Sequence, residues 1–389
     1  MPLNLSVRDV KIINGQLTLR RTVGHWKPLV LEQVNIELHD FSSTSAFPFS
    51  LSAKVRGGGA VRLDGKAGPL NAADSAMTPV TVDLNVTGLD LAPSGMNDFA
   101  PDVSGLVSFN GKGDSDGVKM LMTGALKAEH LKVAKNGSPA ARVVELDFSV
   151  QHDLRTHAGT VRQGDVHLGT ALAHLTGTYA EQDESMVLSM KFVGPGMPVQ
   201  ELEAMLPAVG VVLPTGTSLQ GGTASAEFSI NGQADRAVVS GSVSINNTRL
   251  VGFDISKKMS SIEKLAGIKS GPDMDIQTLS ADIRSSPEGA NAQDMKLVVP
   301  AIGELTGAGT VSPANELNFK MSAMVHTFGI LAAIGDKPIP FTVEGTCAQP
   351  EFKPDLKAIV GDEVKGIEHG IGKAAGGLVN GFLRGKKKD

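Results

Sequence analysis

The chain has one cysteine, one tryptophan and one tyrosine among its 389 residues. The lone thiol, Cys347, cannot build an internal disulfide framework. With no second cysteine and no histidine cluster it is also a poor metal ligand, so it reads as a plain buried or half-exposed thiol. Aromatics are only 4% of the residues, which argues against a surface that stacks sugars or bases. Charge is nearly balanced, 36 basic against 41 acidic residues for a net charge of −5. Phosphate binding needs clustered positive charge, so no nucleic-acid partner is expected. The one basic cluster is Lys386, Lys387 and Lys388 at the end of the chain. The longest apolar stretches, Leu206 to Pro214 and Thr327 to Gly335, fall well short of the ~20 residues of a membrane-spanning helix. The start, Met1-Pro2-Leu3-Asn4-Leu5, runs directly into strand-like alternation without the regions of a signal peptide. Read alone, that start fits a cytosolic protein or an internal piece of a longer one.

Catalytic signatures are missing as well. The histidines show no i, i+4 pair of a zinc-protease helix, and there is no paired CxxC. His39 falls on the polar side of its strand and reads as solvated surface. Gly57-Gly58-Gly59 has no Lys-Ser or Lys-Thr at P-loop spacing and reads as a hairpin turn, and no GxSxG elbow is present. Asp273 and Asp275 resemble the start of a calcium loop that lacks its glycine and closing glutamate. The expectation is a protein without a catalytic centre, metal or cofactor.

What the chain does have is alternation. Val144, Leu146, Phe148 and Val150 interleave with Glu145, Asp147 and Ser149, which sorts the side chains of an extended strand onto two faces. The same holds for Val34, Ile36 and Leu38, and for Val82, Leu84 and Val86. It recurs in Met186, Leu188, Met190 and Phe192, in Ala226, Phe228 and Ile230, and in Leu317, Phe319 and Met321. Roughly twenty such segments of five to eleven residues are spaced as all-β proteins space them. Short links such as Asn14-Gly15, Asn136-Gly137 and Asn231-Gly232 favour antiparallel hairpins, because parallel strands need long crossovers.

A weak repeat places a glycine in mid-strand. It appears at Leu63-Asp64-Gly65, Leu121-Met122 with Gly124, Leu175-Thr176-Gly177, Val239-Ser240-Gly241, Leu305-Thr306-Gly307 and Val343-Glu344-Gly345. Glycine inside a strand marks a bulge, a bend or a close backbone approach, and a recurrent bend would curl the sheet into a trough. Chance register among small residues is the plain alternative. Helical spacing occurs at Met197 to Ala208, at Ile255 to Ala266, and after Pro354, where Ile367, Ile371, Leu378 and Phe382 continue an apolar stripe weakened by many glycines.

Family-like motifs emerge in order along the chain. Val239-Ser240-Gly241-Ser242-Val243 leads to Leu250-Val251-Gly252-Phe253-Asp254-Ile255, then to Gly303-Glu304-Leu305-Thr306-Gly307-Ala308-Gly309-Thr310-Val311. Ile339-Pro340-Phe341-Thr342-Val343-Glu344-Gly345-Thr346 and Pro350-Glu351-Phe352-Lys353-Pro354-Asp355 follow. This C-terminal third resembles the conserved end of AsmA-like proteins. The stretch from Val10 to Gly15 through Pro48 to Leu51, Gly65 and Pro69-Leu70-Asn71 looks like their middle, so the resemblance spans nearly the whole chain. It implies an elongated, U-shaped β-sheet with an apolar groove. It also implies a periplasmic protein tethered to the inner membrane, moving phospholipid toward the outer membrane and tied to outer-membrane protein assembly. The tether and the usual N-terminal repeats are missing here, so the chain looks like a soluble C-terminal part.

The resulting expectation is an all-β, mainly antiparallel, elongated curled sheet forming an apolar U-shaped groove, with a few short helices and a C-terminal amphipathic helix. Its segments are a β-groove over 1–195, a helix or linker over 196–217, an AsmA-like β segment over 218–354 and a glycine-rich helical tail over 355–389. The groove wall would comprise Val82, Leu84, Val86, Val144, Leu146, Phe148, Met186, Leu188, Met190, Phe228, Ile230, Phe319 and Met321, and its partner would be phospholipid acyl chains. The tail residues Ile367, Ile371, Leu378, Phe382, Lys386, Lys387 and Lys388 would dock on a membrane surface or an envelope protein, or fold back over a sheet edge. Two alternatives stay open: a closed sandwich of apolar faces, and a scaffold whose sheet edges receive client strands.

Overall fold

The computed structural model describes residues 6–20, 27–98, 102–182, 185–254, 271–325 and 338–355. Twenty strands make up about two thirds of them. In chain order they are β1 Ser6–Leu19, β2 Leu29–Ser42, β3 Phe47–Val55, β4 Ala60–Ala67, β5 Val80–Asp90, β6 Ser104–Ser115, β7 Lys119–Lys132, β8 Val144–Asp153, β9 Ala158–Leu168 and β10 Ala171–Gln182. Then come β11 Ser185–Pro198, β12 Ser218–Gln220, β13 Thr223–Gln233, β14 Val238–Val251, β15 Met274–Ser286, β16 Gly289–Val299, β17 Gly303–Val311, β18 Leu317–Val325, β19 Ile339–Gly345 and β20 Pro350–Pro354.

Each strand pairs antiparallel with its chain neighbours, giving one continuous meander. The single irregularity in that order is the short β12, which lies end to end with β13 beside β14. The sheet is not closed into a barrel: β1 and β20 are its outer strands. It also runs on between residues 198 and 218, because β11 pairs directly with β13.

Strict antiparallel order sorts the connections onto two long rims. One rim carries the long ones, residues 91–103, 133–143, 199–217 and 252–273 among them. The other carries short hairpins such as 116–118, 154–157, 234–237 and 346–349, apart from the longer 68–79. We call them the capped rim and the hairpin rim. Among the described residues, the capped rim holds two α-helices, α1 Leu91–Ser94 and α2 Val199–Glu203, and a 3-10 turn at Leu206–Val209. Leu91, Leu202 and Met205 pack there against Val107, Ala128, Val144 and Leu168 of the sheet's apolar face. Backbone bonds from Val133 and Ala134 to the carbonyl of Ala208, and the Arg142–Glu201 ion pair at 2.9 Å, fasten this cap to the β7–β8 connection.

Several local expectations are corrected. The helical spacing over Met197 to Ala208 gives α2 and a separate 3-10 turn, because Pro207 lacks the N–H and the room to continue one helix. Asn14-Gly15 is no hairpin: Asn14 adopts φ 54° inside β1, where the register slips as in a bulge. Asn231-Gly232 likewise stays within β13, and Asn136-Gly137 belongs to the capped-rim connection 133–143. Gly57-Gly58-Gly59 is the tight β3–β4 turn, with all three residues at positive φ. The helical spacing over Ile255 to Ala266 lies outside the described residues, as does the tail after Asp355.

Most glycines of the repeat mark close backbone approaches between paired strands. A Cβ placed on Gly65 would collide with the carbonyl oxygen of Thr81 on the next strand, and one on Gly307 with that of Lys320. Gly124, Gly177 and Gly241 meet neighbouring carbonyls in the same way. A carbonyl of the paired strand therefore presses into the face of the sheet at mid-strand, where only a bare Cα fits. Gly345 instead turns the β19–β20 hairpin at φ 83°.

Over the C-terminal strands the apolar side is folded over into one core. Phe253, just past β14, meets Phe352 of β20 with ring centroids 6.3 Å apart. Six strand steps separate β14 from β20, which would put the rings about 29 Å apart in a flat sheet. The backbone N–H of Thr215 bonds the carbonyl of Ala348, and the Asn136 amide bonds the carbonyl of Pro313, so capped-rim connections meet hairpins of the C-terminal strands.

Candidate functional site

Register ties the candidate residues to one face. Val82 sits opposite Gly113, which sits opposite Met122, and the row continues through Val150, Val161, Gly177, Met190, Ile230 and Val239. A second row runs Leu175, Phe192, Phe228, Gly241, Ile283, Ala292, Gly309, Phe319, Val343 and Phe352. With period-2 alternation these rows place every proposed wall residue on the same side of the sheet. Val144, Met190 and Met321 are buried. Val82, Leu84, Val86, Leu146, Phe148, Met186, Leu188, Phe228, Ile230 and Phe319 are half-buried. The tail candidates, Ile367 to Lys388, lie outside the described residues.

Burial divides this face. From β14 to β20 it closes on itself around Val299, Ile302, Leu305, Ala323, Ile339 and Phe341, all at most 6% exposed. Phe319 and Met321 belong to that packed region, so they line a core there instead of an open wall. Two further cores, around Leu31, Val34 and Val55 and around Val107, Ala128 and Val144, hug the capped rim. Between them and the hairpin rim lies a strip containing Val82, Leu84, Phe148, Met186, Leu188 and Ile230. These side chains are half-buried and belong to none of the three cores.

Glycines also give the strip its texture. The ring of Phe109 lies across Gly111 and Gly124 and reaches Phe148 two strands away, with centroids 5.5 Å apart and planes 21° from parallel. Phe192 and Phe228 face each other directly at 6.3 Å. Where a side chain would have stood up from the floor, an aromatic ring lies flat, so the surface is smooth and apolar.

Near the hairpin rim the same device carries polar atoms. His152 of β8 and Tyr179 of β10 both pair with Gly159 of β9, and the tyrosine ring lies over that glycine. His152 Nδ1 and the Tyr179 hydroxyl are 3.1 Å apart, and the rings stack at 5.8 Å. Burial holds the imidazole below its ordinary pKa and pushes the phenol above its own. Neither residue was among the sequence candidates. The signal was there, since extending the alternation from Val144 through Val150 by one step reaches His152.

The opposite face is a ladder of cross-strand ion pairs. They include Lys127–Glu145 at 2.6 Å, Lys191–Glu227 at 2.6 Å, Arg249–Asp275 at 2.5 Å, Lys296–Glu304 at 2.8 Å and Lys353–Glu344 at 2.7 Å. The hydrogen bond from Lys127 lowers the Glu145 pKa, and Lys353 does the same for Glu344. Such exposed pairs add little stability each, but they keep this side in water and penalise register slips. His39 joins the ladder through Asp9 at 2.9 Å. Shallow hollows open on this face, one of about 370 Å³ lined by Ser225, Glu227, Ser242, Ser244, Asp282 and Asp294, among others.

Asp273 accepts from the backbone N–H of Gly252, and Asp275 is taken up by Arg249, so both have structural partners. Burial raises the pKa of the half-buried Cys347 thiol. Among the described residues no group of three or more histidine, cysteine or acidic side chains converges as a metal site, and no helix is long and apolar enough to cross a membrane. Comparison with protein-family models, with curated proteins and with solved structures finds no match for the chain.

Proposed function

We propose that the apolar strip is the floor of a groove that conducts phospholipid acyl chains. The chain is then a non-enzymatic lipid-carrying protein of the bacterial envelope, supporting transport between inner and outer membranes and outer-membrane biogenesis, as its resemblance to AsmA-like proteins implies. One observation carries this reading: between the capped-rim cores and the hairpin rim, large apolar side chains on one face of strands β4 to β13 stay half-exposed. Apolar surface left in water costs about 25 cal/mol per Å², so an occupant is favoured. A flat wall of methyl, thioether and phenyl groups gives contact without direction, which suits chains whose identity need not be read. The strip crosses about 40 Å of sheet at ~4.8 Å per strand, against roughly 15 Å of hydrocarbon in one leaflet, enough for lipids in file. In this reading the protein is periplasmic, and the tail after Asp355 docks on a membrane surface or an envelope partner.

Mass spectrometry of gently purified protein tests the reading directly. Phospholipid should co-purify, and Leu188→Asp or Leu146→Asp should abolish it, because an unpaired carboxylate costs a few kcal/mol in an apolar path. If delipidated protein takes up no phospholipid, or the folded Asp variants keep theirs, the reading fails.

A second reading rests on β1. This outer strand exposes Ile12, Ile13, Leu17 and Leu19, Ile13 to 78%, and an unpaired edge of that kind accepts a client strand. Binding of an unfolded outer-membrane strand that is lost on Ile12→Lys, with lipid content unchanged, would favour it.

A further inference from the structure

The two rims of the strip are chemically unequal, and the difference implies an orientation for the bound amphiphile. On the capped rim, α1, α2 and the 3-10 turn bury Val107, Leu168 and Met197. On the hairpin rim, the inner face instead carries the His152–Gly159–Tyr179 row. Inward from His152 on the same face come Val150, Phe148 and Leu146. At ~3.3 Å per residue, Leu146 lies about 20 Å from His152, which matches the length of an extended acyl chain to within a few ångströms.

The pair always has a donor to spare. If the phenol donates to Nδ1, the imidazole carries its proton on Nε2 and offers that N–H; if Nδ1–H donates to the phenol oxygen, the phenol O–H is offered. A tyrosine on an apolar body with a wet tip is the side chain that suits a hydrocarbon–water boundary. The charged groups that bear on His152 are His157, Asp153 and Glu181, and burial is the largest influence on it, favouring a neutral imidazole. A neutral donor beside acidic neighbours suits an uncharged acceptor better than a bare anion.

We propose that His152 and Tyr179, joined across Gly159, form a hydrogen-bonding station for the ester carbonyl oxygens of a glycerolipid, so that head groups leave at the hairpin rim and chain ends point to the capped rim. This rests on the lipid-carrying reading and adds the direction in which the lipid lies.

Two photoactivatable phosphatidylethanolamines, one with a diazirine on the head group and one at the end of an acyl chain, loaded into the full chain, provide the test. Mapped adducts of the head-group probe should fall on 152–160 and 179–188, and those of the chain-end probe around Leu146 and Val166. The double variant His152→Phe/Tyr179→Phe keeps an aromatic ring at each position and removes both donors, whereas either residue alone still offers one. It should weaken the head-group preference about threefold to tenfold, the worth of one hydrogen bond, while total bound lipid stays within about twofold. A reversed or even distribution, or an unchanged preference in the double variant, overturns the orientation and leaves lipid carriage standing. Absence of adducts from both probes, with no co-purifying lipid, overturns lipid carriage itself.

Discussion

From β4 to β13 the apolar face is buried only toward the capped rim and keeps a half-buried strip beside the hairpin rim, whereas from β14 to β20 a face of the same alternation closes into a core in which Ala323 and Val299 are nearly inaccessible. Both stretches share one sheet, one register and the same mid-strand glycines. The difference comes from what reaches over the face. Phe253 extends from the end of β14 to Phe352, and Thr215 reaches the β19–β20 hairpin at Ala348. Over the middle strands the caps cover only one rim. How deeply the face is buried thus follows a few long-range contacts and not the strand pattern.

Stability effects should separate the two regions most sharply. Phe341→Ala empties a site 2% exposed and should cost about 3–5 kcal/mol, while Leu188→Ala in the half-buried strip should cost under about 2 kcal/mol. Equal costs in chemical denaturation would mean that the strip is core after all. A medium effect is expected at the close strand approaches. Gly307→Val forces side-chain atoms against the carbonyl of Lys320 and should cost about 1–3 kcal/mol. Amide exchange should then accelerate in β17 and β18 and stay unchanged in β8 to β10; uniform acceleration would show that the two regions unfold as one.

The smallest effect concerns pH. His152 has its folded-state pKa depressed by burial, so between that value and its unfolded value near 6.5 the unfolded chain binds more protons. Its contribution to stability is therefore full above about pH 6.5 and declines as pH falls below it, by a modest amount because the group is only partly buried. Glu145 and Glu344, whose pKa values are also depressed, lose their contribution only as pH falls through the carboxylate range. A melting-temperature series from pH 7.5 to 5.5 should slope downward, and His152→Gln should flatten it. An unchanged slope in the variant would assign the dependence to another group.

Alternation made the strands, their antiparallel order and the common face legible, because a period of two survives without knowledge of neighbours. The mid-strand glycines marked close strand approaches for a local reason, that only a bare Cα tolerates a carbonyl pressed on it. Closure was not legible, since Phe253 and Phe352 are far apart in sequence and no periodicity links them. The bulges at Asn14 and Asp294 escaped because turn-forming residues at positive φ look alike in a turn and in a strand. His152 and Tyr179 escaped for a different reason: a polar residue that ends an apolar row reads as the end of the strand until the partner across the glycine is seen.

The meander gives the molecule a rule of parity. With the short β12 counted as one strand with β13, every strand lies beside its chain neighbour, so the chain visits the capped rim and the hairpin rim in turn. Adding or deleting two strands together would lengthen or shorten the sheet while every downstream loop kept its rim. Adding one would transfer each later connection to the opposite side, placing caps where the hairpins stand and turning the inner face outward. Growth of such a sheet is therefore quantised in hairpins. Because its pairings are local in sequence, each added pair needs little loop closure to form. Length becomes a property that duplication can edit without redesigning the cross-section.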